Sequence, residues 1–212
     1  MSQVYKQDNM TIHNADCMEI MAEYEDNYFD LAVVDPPYGE NALDGSRTAR
    51  IYGINRADNW DCYKPPKEYF IELMRVSKNQ IIWGGNYFID YLYSSKCFLV
   101  WNKPSMAGMH TMSFGEFAWT SFNKPSKIKH LESDKKNRMH PTQKPIKLYN
   151  WIYANYAEEG QKILDTHGGS FSNAIAAHYA KMGEFVGCEL DEDYFKGACE
   201  RIRKETRQME LF

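Results

Sequence analysis

A doubly wound α/β sheet is the fold this sequence predicts, and three observations predict it. Short apolar runs rich in β-branched residues recur along the chain, as in "FDLAVVD" (29–35) and "EFVGCEL" (184–190). Runs of that kind read as strands buried on both faces. Between them lie segments with apolar residues at helical spacing. Three of the runs end in an acid, Asp35, Asp165 and Glu189, and sheets of this class bind ligands outside the carboxyl ends of their strands.

Each element has its own reason. After the strand 29–35, "PPKEYFIELMRVSK" (65–78) carries apolar residues at 69, 70, 73, 74 and 76, a helix face opened by proline. "QIIWGG" (80–85), "CFLVWNK" (97–103) and the alternating "GEFAWTSF" (115–122) read as strands. "PIKLYNWIYANYA" (145–157) is a second proline-started helix. "KILDTH" (162–167) is a strand, and "SNAIAAHYAKMG" (172–183) is a helix stopped by Gly183. The strand 184–190 leads to a closing helix, 191–208, with acids in its first turn where the helix dipole favours them.

The 212 residues suit one domain. A hydrophobic content of 43% excludes a disordered chain. No apolar run approaches the ~20 residues of a membrane span, and "MSQVYKQDNM" lacks the apolar core of a signal peptide. Cys17, Cys62, Cys97, Cys188 and Cys199 form no C-x-x-C pair, so reduced thiols in a cytoplasmic protein without a zinc site are expected. The net charge of −4 argues against a generally basic nucleic-acid binder. Locally the balance reverses. Lys124, Lys127, Lys129, Lys135, Lys136, Arg138, Lys144 and Lys147 are opposed only by Glu132 and Asp134. That excess fits either a solvated loop or phosphate contact.

The strand 29–35 runs into Asp35-Pro36-Pro37-Tyr38. Neither proline can donate to a sheet ladder, so a carboxylate and an aromatic ring sit on a stiff corner. The later strand 162–167 runs into Gly168 and Gly169, which let backbone approach a ligand closely. Glu189 is then placed to accept hydrogen bonds from ribose hydroxyls. Plain turn chemistry and a helix cap would give the same pattern. The spacing is neither G-x-G-x-x-G nor a G-K-[ST] phosphate loop.

Taken together, Asp35-Pro36-Pro37-Tyr38, "MHPTQKPIKL" (139–148) and the glycine turn at 165–172 resemble the beta group of adenine-N6 DNA methyltransferases. In that group the D-P-P-Y motif precedes the cofactor loop and H-P-T-Q-K-P sits between them. "HNADCMEIM" (13–21) is similar to its opening segment, and the middle strands fit, so the likeness covers nearly the whole chain. The resemblance implies a seven-stranded, mostly parallel Rossmann-like sheet in a single domain, permuted so that the catalytic motif comes first. It implies S-adenosylmethionine as methyl donor and double-stranded DNA as substrate. Asp35 and the Pro36 carbonyl would accept hydrogen bonds from the adenine amine, Pro37 would stiffen the corner, and Tyr38 would stack on the flipped-out base. Asp165, Thr166, His167, Gly168, Gly169 and Ser170 would line the methionine part of the cofactor. Glu189 would hold its ribose, and Asp16, with Cys17 beside it, its adenine. Thr142, Gln143 and Lys144 would reach its carboxylate.

The loop departs from the group's D-P-F-x-G-S-G-T. Thr166 and His167 replace proline and phenylalanine, and Phe171 replaces the last glycine. Phe171 is expected to add bulk beside the cofactor and weaken its binding, and His167 to be a packing substitute. For DNA, "NALDGSRTARIYGINRADNW" (41–60) reads as a mobile loop with Arg47, Arg50 and Arg56 near phosphates, and 123–139 as a short recognition segment carrying Lys124, Lys127, Lys129, Lys135, Lys136 and Arg138. A recognition region so short fits a brief target site, low specificity, or a DNA cleft assembled from two copies, and the resemblance implies a homodimer. Gln208-Met209-Glu210-Leu211-Phe212 resembles the Q-x-x-L-F peptide that docks on bacterial sliding clamps. Methylation of cytosine N4, RNA or a protein amide is the first alternative. A non-catalytic DNA- or clamp-binding module is the second, and a nucleotide-dependent oxidoreductase the third.

Overall fold

The computed structural model describes residues 3–39, 64–104, 113–133, 138–140 and 142–207. The described residues form one nine-stranded sheet. In chain order its strands are β1 (Gln3–Gln7), β2 (Met10–Asn14), β3 (Leu31–Val34), β4 (Gln80–Trp83), β5 (Phe98–Asn102), β6 (Gly115–Thr120), β7 (Lys127–His130), β8 (Lys162–Asp165) and β9 (Glu184–Cys188). Across the sheet they lie in the order β1-β2-β9-β8-β3-β4-β6-β5-β7. Among the described residues the α-helices are α1 (Cys17–Met21), α2 (Lys67–Val76), α3 (Ile146–Tyr156), α4 (Ser172–Tyr179) and α5 (Glu192–Arg207).

Alternation along the strands builds three layers. Leu31 and Val33 face α3, α4 and α5, packing with Leu148, Ile152, Ile175 and Ile202. Ala32 and Val34 face the other way, against Ile20 of α1 and Phe70 and Leu73 of α2. Both sets are essentially solvent-free, which is why these strands read as unbroken apolar runs.

The fold class matches expectation: a mostly parallel, doubly wound sheet. Two parts differ. Among the described residues there are nine strands, not seven, because β1 and β7 add polar edges at opposite ends. "QVYKQ" and "KIKH" are largely exposed and carry little apolar signal. The helices also do not alternate with strands throughout. Among the described residues no α-helix falls between β4 and β7, and β6 runs antiparallel to both β4 and β5.

This order creates one topological switch point. From β3 the chain winds outward through β4 toward β7, then returns to lay β8 on the other side of β3. The carboxyl ends of β3 and β8 therefore open a crevice between them, where ligands bind in sheets of this kind. Because β6 is antiparallel, its first residues reach that same edge. No described helix is long and apolar enough to cross a membrane.

Candidate active site

A cavity of about 680 Å³ opens at the switch point, within the range of small-ligand sites. Its floor is the β8–α4 turn, residues 166–170, and its sides carry Asp16 and Cys17, Asp35 and Pro37, Thr142 to Lys144, and Glu189. Residues scattered over 174 positions of sequence thus share one wall. Tyr69, His140, Leu190, Asp191 and Tyr194 also line it; His140 belongs to the H-P-T-Q-K-P motif but has no role in the expected site, and Tyr69, an isolated aromatic on a helix, carries no spacing signal.

The turn is built by its own hydrogen bonds. The Gly169 amide donates to Glu189 Oε2 at 2.7 Å, and the Asp191 amide donates to Oε1 at 2.9 Å. Burial raises the Glu189 carboxyl, partly countered by these amides. Asp165 lies behind the wall rather than in it. Asn173 Nδ2 donates to its Oδ2 at 3.0 Å and the His167 amide to its Oδ1 at 3.2 Å. Burial outweighs those bonds and pushes the Asp165 carboxyl up to about 7.

One expectation about this loop is corrected, and one gains detail. Phe171 does not intrude on the cavity. Its ring is wholly buried against Phe185, with the Cα positions of Gly168 and Gly187 pressed on it so closely that a Cβ at either would lie 2.1 or 2.3 Å from its ring. His167 does more than fill space. Its Nδ1 lies 2.9 Å from Thr166 Oγ1, which lies 2.6 Å from the Tyr69 hydroxyl on α2. Burial pushes the imidazole down to about 4, so it is neutral at pH 7.

Asp16 caps α1, its Oδ1 accepting from the Met18 amide at 2.8 Å, and burial lifts the neighbouring Cys17 thiol to about 12. Gln143 is buried, its Oε1 accepting from the Met139 amide at 3.2 Å. Thr142 Oγ1 lies 3.1 Å from His140 Nδ1.

Around Asp35 the structure departs from expectation most. Lys144 does not extend toward the cofactor end of the cavity. Its ammonium donates to Asp35 Oδ2 and, at 3.0 Å, pairs with Glu116 Oε2. Lys103 in turn pairs with Glu116 Oε1. The other Asp35 oxygen, Oδ1, accepts from the Tyr38 hydroxyl at 2.6 Å. The Tyr38 ring stacks on Tyr87, centroids 4.9 Å apart and planes 13° from parallel, so one ring face is already covered. Pro36 is buried and, like Tyr38, does not line the cavity.

The basic residues divide. Lys124 donates to the Asn155 carbonyl at 3.2 Å and Lys127 also bonds Asn155, tying β7 to the carboxyl end of α3. Because β7 runs parallel to β5, these two lysines stand at the strands' amino edge, opposite the cavity. Lys129 lies mid-strand, and Arg138, at the cavity side, donates to the Gln143 carbonyl at 3.2 Å. Arg47, Arg50, Arg56, Lys135, Lys136 and the tail Gln208–Phe212 lie outside the described residues.

Comparison with known proteins fits this geometry. A family model for N6/N4 enzymes, described as "DNA methylase", matches residues 93–200. The protein YubD of Escherichia coli (strain K12) is 25% identical over 92% of this chain and 91% of its own length. The type II methyltransferase M2.MboI of Moraxella bovis is 22% identical over 93% and 89%. Among solved structures, the M1.HpyAVI–SAM complex superposes with a TM-score of 0.61 at 21% identity, covering 91% of this chain and 98% of that one. The cytosine-N4-specific PvuII DNA methyltransferase gives 0.64 at 11% identity, covering 96% and 93%. At these identities the two structures speak for the fold alone.

Proposed function

Since this chain belongs to the N6/N4 DNA methylase family, we propose that it transfers a methyl group from S-adenosylmethionine to N6 of an adenine flipped out of DNA. The observation that carries the reading is the meeting, in one cavity, of Asp35 with the glycine turn and Glu189. The cavity fits the donor: its floor is glycine backbone, and Glu189 presents two carboxylate oxygens beside it. Glu189 would hold the ribose, Asp16 the adenine, and the 166–170 turn the methionine part. The donor supplies a methyl group already activated on a sulfonium.

What this chain must supply is a nucleophile. The lone pair of the adenine amine is delocalised into the ring. Asp35 and the Pro36 carbonyl would accept hydrogen bonds from the amine, letting the nitrogen pyramidalise so that its lone pair is localised toward the methyl group. As the N–C bond forms the S–C bond breaks, the neutral thioether leaves, and the methylated amine gives up a proton. Two prolines fix the direction of those acceptors, and positioning of this kind is a large share of rate enhancement. The aspartate favours adenine, because cytosine-N4 enzymes of the resembled group favour serine there. Within the same reading, DNA approaches the carboxyl edge, two copies form one cleft, and Gln208–Phe212 engages a bacterial sliding clamp. Sedimentation with DNA, and clamp pull-down with and without residues 208–212, test the last two.

The deciding experiment is a nucleoside digest. Purified protein is incubated with donor carrying a deuterated methyl group and unmethylated bacterial DNA, and the hydrolysate is read by mass spectrometry. Labelled N6-methyladenine is expected. Labelled N4-methylcytosine would keep the family and overturn the role given to Asp35. Cofactor binding without label in DNA would redirect the search to RNA or protein.

A further inference from the structure

We propose that Glu116 is a positioning residue for this reaction, fixing Asp35 through the buried ammonium of Lys144. The inference rests on the function proposed above and assigns a role to a residue outside the D-P-P-Y and H-P-T-Q-K-P motifs.

The geometry begins with topology. β6 is antiparallel, so Glu116, its second residue, stands at the same sheet edge as Asp35. Lys144 lies between them with its side chain 3% exposed. A lysine that deep is tolerated only when its charge is met, and here two carboxylates from different strands meet it. Its stem is fixed as well, the ammonium lying 5.2 Å from the Trp83 ring centroid. Lys103 takes the second oxygen of Glu116 while resting 4.4 Å from the Trp101 ring. The group is a line: Lys103, Glu116, Lys144, Asp35, then Tyr38. Two cations and two anions balance within it.

An ammonium paired with Asp35 alone would follow the carboxylate wherever it turned. Held by Glu116 on a separate strand, it becomes a fixed point. With Tyr38 on the other oxygen, the Asp35 carboxylate has its plane determined, and its remaining lone pairs are aimed. Glu116 also divides the Lys144 charge, leaving Asp35 a stronger acceptor than a private ion pair would. Burial would raise the Glu116 carboxyl, but Lys144 and Lys103 hold it at about 2, so it is charged at neutral pH. The ionisable groups that act on Lys144 are Asp35, Glu116 and His140, with Lys103 on the far side of Glu116 and Tyr38 on the far side of Asp35.

The test compares wild type with Glu116→Gln, Glu116→Asp and Lys144→Met. Turnover on DNA, cofactor affinity by calorimetry and the ¹⁵N resonance of the Lys144 ammonium (identified by its loss in Lys144→Met) are recorded for each. Glu116→Gln should lower kcat about a hundredfold, the cost of small misplacement of a reacting group. Cofactor affinity should stay within about threefold, and the Lys144 resonance should shift. Removing the Glu116 charge leaves burial, which lowers the Lys144 pKa, less opposed, so the alkaline limb of the rate profile should move to lower pH. Glu116→Asp keeps the charge, should recover part of kcat, and serves if the glutamine variant does not fold. Glu116→Gln at wild-type kcat, or a loss of rate matched by loss of cofactor affinity, overturns the role of Glu116. A wild-type protein that binds cofactor and leaves DNA unmethylated overturns the function itself.

Discussion

Gly84 follows β4 with φ +67°, and a Cβ built there falls 2.1 Å from the Tyr38 ring. Gly84→Ala therefore sets two demands at once. The left-handed backbone costs an alanine about 1–2 kcal/mol. The ring must also retreat, which separates Tyr38 from Tyr87, worth about 1 kcal/mol, and from the Asp35 carboxylate, worth about 2 kcal/mol. The expected total is about 4–5 kcal/mol. Gly160 is the matched control: its φ is +85° and a Cβ there meets nothing within 4 Å. Gly160→Ala should lose only the backbone part, about 1–2 kcal/mol. Urea denaturation of both variants, at unchanged m, reads the difference directly. Equal losses would refute the claim that Gly84 is small in order to seat Tyr38. A destabilised Gly84→Ala with undiminished turnover would refute the further link from Tyr38 to Asp35.

Asp35→Asn should lower turnover by about 10²–10⁴, the span of a lost proton-accepting group, with DNA retention in gel shift unchanged; near-normal turnover sinks the assignment. Glu189→Ala should weaken cofactor binding by about 2 kcal/mol in calorimetry, and an unchanged isotherm removes Glu189 from the site. The imidazole of His167 is depressed to about 4 in the folded protein. A depressed group favours folding above its unfolded pKa near 6.5, and that contribution is lost as pH falls through about 4. Asp165, raised to about 7, acts in the opposite sense: its contribution is full below about 4 and is lost as pH rises through 7. His167→Phe should therefore gain about 3 kcal/mol on wild type between pH 7 and pH 4, read from urea midpoints; parallel curves would contradict the neutral histidine.

The strands around the crevice were legible because burial on both faces leaves an unmixed apolar signature. "LAVV", "QIIW" and "FVG" could hardly be anything else, and their terminal acids marked the ligand edge. The edge strands β1 and β7 were not legible, since a strand with one solvated side and polar residues has no such signature. Most of the motif residues share one cavity, as the resemblance implied, while Asp165, Pro36 and Tyr38 stand outside it. What local pattern could not reveal was direction. Lys144 was visible as a motif lysine, yet it pairs with both Asp35 and Glu116, and Glu116 stands at that sheet edge only because β6 is antiparallel. Phe171 likewise looked like an obstruction, when Gly187, sixteen residues later, makes the space that receives it.

The pairing of β3 with β8 has a consequence for how the protein is made. Ala32 lies opposite Leu164, across a sequence span that includes β4 to β7 and the helices α2 and α3. Contacts so distant in sequence form late and slowly. A nascent chain can lay down β3 and β4 as it emerges, but half of the crevice arrives only with β8 and β9. A ligand of the crevice can therefore stabilise only the completed sheet. Cofactor concentration would slow unfolding of the finished protein and leave its earliest folding phase untouched.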